Sequence, residues 1–177
     1  MDQEHFSEFA ALREQAERML RLGEWSLRLE ILPSFADSVV VGLHRSGWDL
    51  RVVERRWDRA ADAEKFRSPV ERMKHPRVLT PTLQERAVPT DKAGARQIRA
   101  LLGEAAMPLR TSSEVLGLDG TRYSIIVSES MHSAHVSWWE SFPAEWLPVM
   151  RAFGSMWKEL EGRLGAPSTP RRFPWNT

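Results

Sequence analysis

Hydrophobic positions in this chain repeat with helical spacing near both ends and with strand spacing between them. In residues 4–22, Phe9, Leu12, Ala16 and Met19 fall on one stripe, widened by Phe6 and Leu20. That spacing predicts an amphipathic helix, and Gly23 is a natural stop for it. Glu14–Arg18 and Glu17–Arg21 stand four apart on its solvent side, where such pairs attract. From Trp25 the period drops to two. Trp25, Leu27, Leu29 and Ile31 alternate with Ser26, Arg28 and Glu30, which predicts a half-buried strand ended by Pro33. Residues 38–44 form a valine-rich second strand. Arg45-Ser46-Gly47 can turn the chain into a third over 48–57, with Trp48, Leu50 and Val52 on one face. The three read as an antiparallel meander.

Residues 58–76 are charged, weakly periodic and broken by Pro69, which suits a short helix or an irregular crossover. An extended segment over 78–88 is confined to a sheet edge by Pro81 and Pro89. Residues 91–105 make a modest helix with Ile98, Leu101, Leu102 and Ala105 inward. A strand over 113–118 leads to Asp119-Gly120, a strong hairpin turn. Tyr123, Ile125 and Val127 then alternate with Arg122, Ser124 and Ser128. After a polar turn over 129–133, Val136 and Trp138 continue the pattern. Pro143 suits the first turn of a last helix, because its missing N–H would have no partner there. Trp146, Met150, Phe153, Trp157, Leu160 and Leu164 give that helix one apolar side, and Gly165 and Pro167 end it. The fold class is therefore α+β. A single antiparallel or mixed sheet of about six strands, in two three-stranded meanders, carries helices mainly on one face, with long N- and C-terminal helices. Residues 1–165 form one domain, and the proline-rich, basic stretch 166–177 is a mobile tail.

Composition narrows the class further. A chain of 177 residues can bury a substantial core without covalent staples. It has no cysteine, which excludes disulfides, thiolate chemistry and cysteine-ligated metals and fits a reducing compartment. The acidic start lacks the pattern of a signal peptide, and no apolar run approaches the ~20 residues that span a bilayer. Cytoplasm is the default location, with no membrane partner. The net charge is +1 but uneven: residues 45–77 hold ten Lys/Arg against six Asp/Glu, and the rest is net acidic. Eight tryptophans are the most unusual feature, and such rings serve both cores and protein interfaces.

Few residues suggest chemistry. His132 and His135, with Glu129 and Glu140 near them, are the candidates for a metal or a general base. A third ligand at a recognisable spacing is missing, and histidine at a wet turn is commonplace. Ser128, Ser130, Ser133 and Asp119 lie beside them, without the G-x-S-x-G that marks a hydrolase elbow. No phosphate-cradling glycine loop is present, and no cofactor is implied. Arg51, Arg55, Arg56, Arg59, Lys65, Arg67, Arg72, Lys74 and Arg77, interleaved with Trp57 and Phe66, resemble a single-strand-binding composition. Glu54, Asp58, Asp62, Glu64 and Glu71 between them favour internal ion pairs instead, so nucleic acid is not the expected partner. Trp138-Trp139 is the most suggestive pair. Neighbours on a strand point to opposite faces, so Trp138 belongs to the core and Trp139 to the other face, which Val53, Arg55 and Trp57 share. Trp139, Trp57 and Arg55 are thus the binding candidates.

The run Gly117-Leu118-Asp119-Gly120-Thr121-Arg122-Tyr123, then Trp138-Trp139 and Pro143-Ala144-Glu145-Trp146-Leu147, resembles a group of small uncharacterised bacterial proteins. Their C-terminal half has an L-D-G-x-x-Y strand, a paired-Trp strand and a P-x-x-W helix. The likeness covers residues 113–164 and implies an immunity-like or accessory role in bacterial conflict systems. It carries over no catalytic residue.

These observations favour a non-catalytic module that binds another protein or itself. The first alternative is a small hydrolase or nuclease with a histidine site near residues 128–140. The second is a nucleic-acid binder using residues 51–77.

Overall fold

In the computed structural model, residues 3–67, 80–103, 105, 120–129, 131–165, 173 and 175 are described. Helix α1 (Gln3–Leu20) is followed by strands β1 (Glu24–Pro33), β2 (Val39–Ser46) and β3 (Asp49–Trp57). Helix α2 (Arg59–Arg67), edge strand β4 (Leu83–Pro89) and helix α3 (Lys92–Gly103) come next. The hairpin β5 (Thr121–Glu129) and β6 (His132–Trp139) follows, then a 3₁₀ turn (Ala144–Trp146) and helix α4 (Leu147–Leu164). The six strands form one sheet in the order β4-β3-β2-β1-β5-β6, antiparallel at every pair. The α+β class is as the alternation predicts. Among the described residues no helix is long and apolar enough to cross a membrane.

Among the described residues β1, β2 and β3 form a meander with β4 at its edge, and β5 and β6 form a hairpin. β4 adds to β3 as the expected edge. β5 pairs on one side with β1 and on the other with β6. The strand expected over 113–118 lies outside the described residues, as does Asp119. Gly120 has a φ of 129° and accepts a 2.9 Å hydrogen bond at its carbonyl from the amide of Ser34.

The helices cover both faces, not mainly one. On the first face, Leu27, Leu29, Ile31, Val39, Val41, Leu43, Val52, Ile125 and Trp138 lie under α4 and α3. Val149, Met150, Phe153, Met156, Trp157 and Leu160 of α4 supply the buried stripe the spacing predicts. On the second face, Val40, Val53 and Trp57 meet Ala16 and Leu20 of α1, with Phe9 and Leu83 at the margin. Each terminal helix has one apolar stripe, and a central sheet whose strands carry valine on both sides offers each its own face.

Trp25 departs from simple alternation for a local reason. Between Trp25 and Leu27 the β1–β2 register shifts, so that Trp25 pairs with His44 while Leu27 pairs with Leu43. The extra residue turns Trp25 onto the α1 face, away from Leu27. At the end of the chain, Phe173 and Trp175 are buried in the first core rather than free in a tail. They stack on each other at 5.1 Å and pack against Tyr123, Trp138, Phe153 and Trp157. That aromatic group closes the β5–β6 end of the face.

Candidate functional site

On the second face, α1 packs its apolar stripe over the β2–β3 half of the sheet. By the strand alternation, most positions of the other half are polar. Three cross-strand rows follow from the register: Arg28, Ile126 and His135; Glu30, Ser124 and Ser137; Leu32, Arg122 and Trp139. Arg13, Glu17 and Arg21, each four residues from the last along and just beyond α1, form the wall beside them. Glu30, only 3% exposed, accepts a two-pronged hydrogen bond from Arg21 at 2.9 and 3.1 Å and lies 2.8 Å from Nε of Arg28. Glu17 joins Arg13 at 2.9 Å, Arg21 at 3.7 Å and Arg122 at 3.6 Å. Burial pushes the Arg28 guanidinium below its ordinary range; neighbouring Glu30 opposes this and Arg21 adds to it. The result is a cavity of about 260 Å³ lined by Arg21, Arg28, Glu30, Arg122, Ser124, His135 and Ser137.

Two more cavities follow this one through shared lining residues, and the three in line are referred to as the trough. Arg28 also lines a 600 Å³ cavity with Trp25, Ser26, Arg99, Ser128 and Glu129. That cavity shares Glu24 and Arg45 with a third, of about 870 Å³, at the β2–β3 hairpin. There Ser46 pairs with Asp49, leaving Gly47-Trp48 as a two-residue loop with Gly47 at a φ of 60°. A glycine in the first loop position is the signature of such a turn, and it puts Trp48 at the tip. The Trp48 side chain is 103% exposed. It does not share the buried face of Val52, as alternation had suggested. Strand counting missed it because the turn begins one residue later than Arg45-Ser46-Gly47 implies.

The structure separates the residues singled out from sequence. His132 and His135 both lie on β6, three apart, and so project from opposite faces; they do not form one site. His135 faces the arginine cavity, and His132 pairs across the hairpin with Glu129. Among the described residues no three of His, Asp or Glu come together to hold a metal. Ser128 and Ser133 pair across β5 and β6, while Ser130 and Asp119 lie outside the described residues.

Trp57 is not an exposed binding residue. It is 0% exposed and donates from Nε1 to Asp62 Oδ2 at 2.7 Å. α1 covers it because the sheet presents Val40, Val53 and Trp57 as one apolar patch. Arg55 is held by Glu85 at 2.7 Å, by the carbonyl of Leu22 and by the Trp25 ring at 5.4 Å. Trp139 is half-buried beside Arg122, four strand positions across the sheet from Trp57. The two tryptophans therefore form no common patch.

The basic segment is similarly divided. Arg56 pairs with Glu54 at 3.7 Å, Arg51 with Asp49 at 3.7 Å, and Lys65 with Asp62 at 2.8 Å. Arg59 donates to the Phe35 carbonyl at 3.1 Å. Arg72, Lys74 and Arg77 lie outside the described residues. Arg51 and Arg55 point to one sheet face and Arg56 to the other, which spreads their charge instead of focusing it. The residues that do converge are Arg21, Arg28 and Arg122, from three parts of the chain. Their only sequence signal is that each occupies a polar position of an otherwise apolar element. No protein-family model matches the chain, and no curated protein or solved structure matches it.

Proposed function

We propose that this protein is a non-catalytic protein-binding module, immunity-like or accessory in a bacterial conflict system, and that its partner docks along the trough with Trp48 as anchor. The observation that carries this reading is the fully exposed Trp48 at a two-residue hairpin tip beside a cavity that it helps to line. A bare indole is unfavourable in water, and tryptophan is among the side chains that most often dominate binding energy when a partner covers them. A two-residue hairpin fixes the backbone that carries the ring, so little main-chain freedom is lost when it is covered. Glu24, Arg45, Asp49, Arg51, Asp91 and Lys92 around it supply the polar rim of an interface.

The test uses the tagged protein and its Trp48→Ala variant as baits in an extract of the native host. The captured partner is then purified and its affinity for each measured by calorimetry. Truncating an anchor costs about 2 kcal/mol or more, roughly thirtyfold in Kd. An immunity role further requires that the partner alone arrest growth and that co-expression of the wild type, but not the variant, relieve the arrest. Equal affinity of the two baits would overturn Trp48 as anchor.

A further inference from the structure

We infer that the pocket between α1 and the β1–β5–β6 half of the sheet binds an oxyanion, with Arg28 and Arg122 as its charged donors and Ser124 and Ser137 as its floor. The first argument is charge balance. Arg13, Arg21, Arg28 and Arg122 share two carboxylates, Glu17 and Glu30, so guanidinium charge is in excess in a partly buried place. Such an excess is costly unless an anion joins it.

The second argument is bond geometry. Both oxygens of Glu30 are taken by Arg21. Nε of Arg28 is buried and ion-paired at 2.8 Å with the same Glu30 oxygen that already accepts from Arg21. Arg122, 42% exposed, reaches Glu17 only at 3.6 Å, beyond hydrogen-bond length. Two guanidinium forks therefore keep donor capacity beside one cavity, and planar forks match phosphate and carboxylate oxygens.

The third argument is the floor. Ser124 is 2% exposed, and its row continues to Ser137, so hydroxyls line the cavity where its apolar counterpart on the other face carries Ile125 and Val136. A volume of about 260 Å³ holds several waters, at about 30 Å³ each, or one phosphate or carboxylate group. The oxyanion comes either from a free phosphate compound or from an acidic side chain of a protein partner. Only the second source rests on the binding-module reading above.

The probes are inorganic phosphate and a hexaglutamate peptide. Each is titrated into the full chain at constant ionic strength set with chloride, and binding is read by calorimetry and by amide shifts of Ser124 and Ser137. Saturable phosphate binding that weakens roughly tenfold or more in Arg122→Gln identifies a free-anion site. Saturation by the peptide alone, with the same dependence on Arg122, identifies a partner's carboxylate. Arg18→Gln, on the exposed side of α1, leaves either affinity unchanged. No saturation by either probe, or equal affinity in Arg122→Gln, overturns the proposal. Phosphate binding that persists in Trp48→Ala, when that variant has lost its partner, separates this site from the docking surface.

Discussion

The indole Nε1 of Trp57 donates a 2.7 Å hydrogen bond to Oδ2 of Asp62, and both side chains are buried. The same carboxylate accepts from the Thr82 amide at 2.9 Å, from the Thr82 hydroxyl at 2.5 Å and from Lys65 Nζ at 2.8 Å. One acidic group thus ties β3, α2 and the approach to β4 together. It occupies the first part of the stretch that the sequence presents as a weakly periodic crossover, and it holds α2 against β3.

Burial pushes the Asp62 carboxyl up, but the hydrogen bonds from Lys65, Thr82 and Trp57 outweigh it and hold it below its ordinary value. A folded-state value below the unfolded one, about 3.9, gives stability that is fully present above that pH and lost as pH falls through the folded value. Asp62→Asn, whose amide cannot accept these bonds as a carboxylate does, is expected to lose on the order of 2 kcal/mol at pH 7. Its stability should also change less than that of wild type below about pH 4. Urea unfolding of both proteins across a pH series measures this. Equal stability at pH 7 would show that the network does not hold α2 in place.

The aromatic end of the first core gives a second prediction. Trp157 is buried, stacks on Phe153 at 5.8 Å and meets Phe173 at 6.0 Å. Trp157→Ala should cost about 3–5 kcal/mol. Removing residues 166–177 takes away Phe173 and Trp175 and uncovers Tyr123 and Trp138, so it should lower the melting temperature and weaken the near-ultraviolet circular dichroism. A truncated chain that melts like wild type would contradict the packing of these two rings.

What the sequence discloses depends on whether the information is local. The β1 and β5 alternations and the 3–4 spacing of α4 are local, and they predict the elements correctly. Which sheet face a helix chooses is not local: α1 and α4 have similar stripes, and only the two-sided valine surface of β2 and β3 separates them. The bulge at Ser26 is invisible to alternation and reverses Trp25. Phe173 and Trp175 sit in a proline-rich basic run, where composition favours a tail over a core. The arginine pocket draws on α1, β1, β5 and β6, so no motif marks it. Trp48 was legible in principle, from Gly47 in the first position of a two-residue loop.

Gly42 tests the bulge. A Cβ there would stand 2.0 Å from the carbonyl oxygen of Leu27, because the irregular pairing brings the β1 backbone close. Neither backbone can withdraw without breaking the central pair of the sheet. Gly42→Ala is expected to cost about 3 kcal/mol. Gly47→Ala meets open space and pays only for its left-handed backbone, about 1 kcal/mol. Chemical denaturation ranks the two, and the reverse order would discount the close approach at Leu27.

Trp48 should report its own exposure. Trp25, Trp57, Trp138, Trp157 and Trp175 are buried, and Trp139 and Trp146 are half-buried, so the tip indole is the one most open to water. Its emission lies furthest to the red and meets a collisional quencher most often. Trp48→Phe should therefore shift the remaining emission to the blue and remove the most quenchable fraction of the iodide response. Because the ring makes no contact the fold needs, stability should stay within about 0.5 kcal/mol of wild type. Quenching that is unchanged in Trp48→Phe would mean that the ring is already covered in solution. The dependence of quenching on protein concentration then decides what covers it: a second copy of the chain protects the ring more as concentration rises, whereas the chain's own residues protect it equally at every concentration. With a partner bound, the iodide response of the wild type should fall to that of the variant, because the anchor is the ring the partner covers.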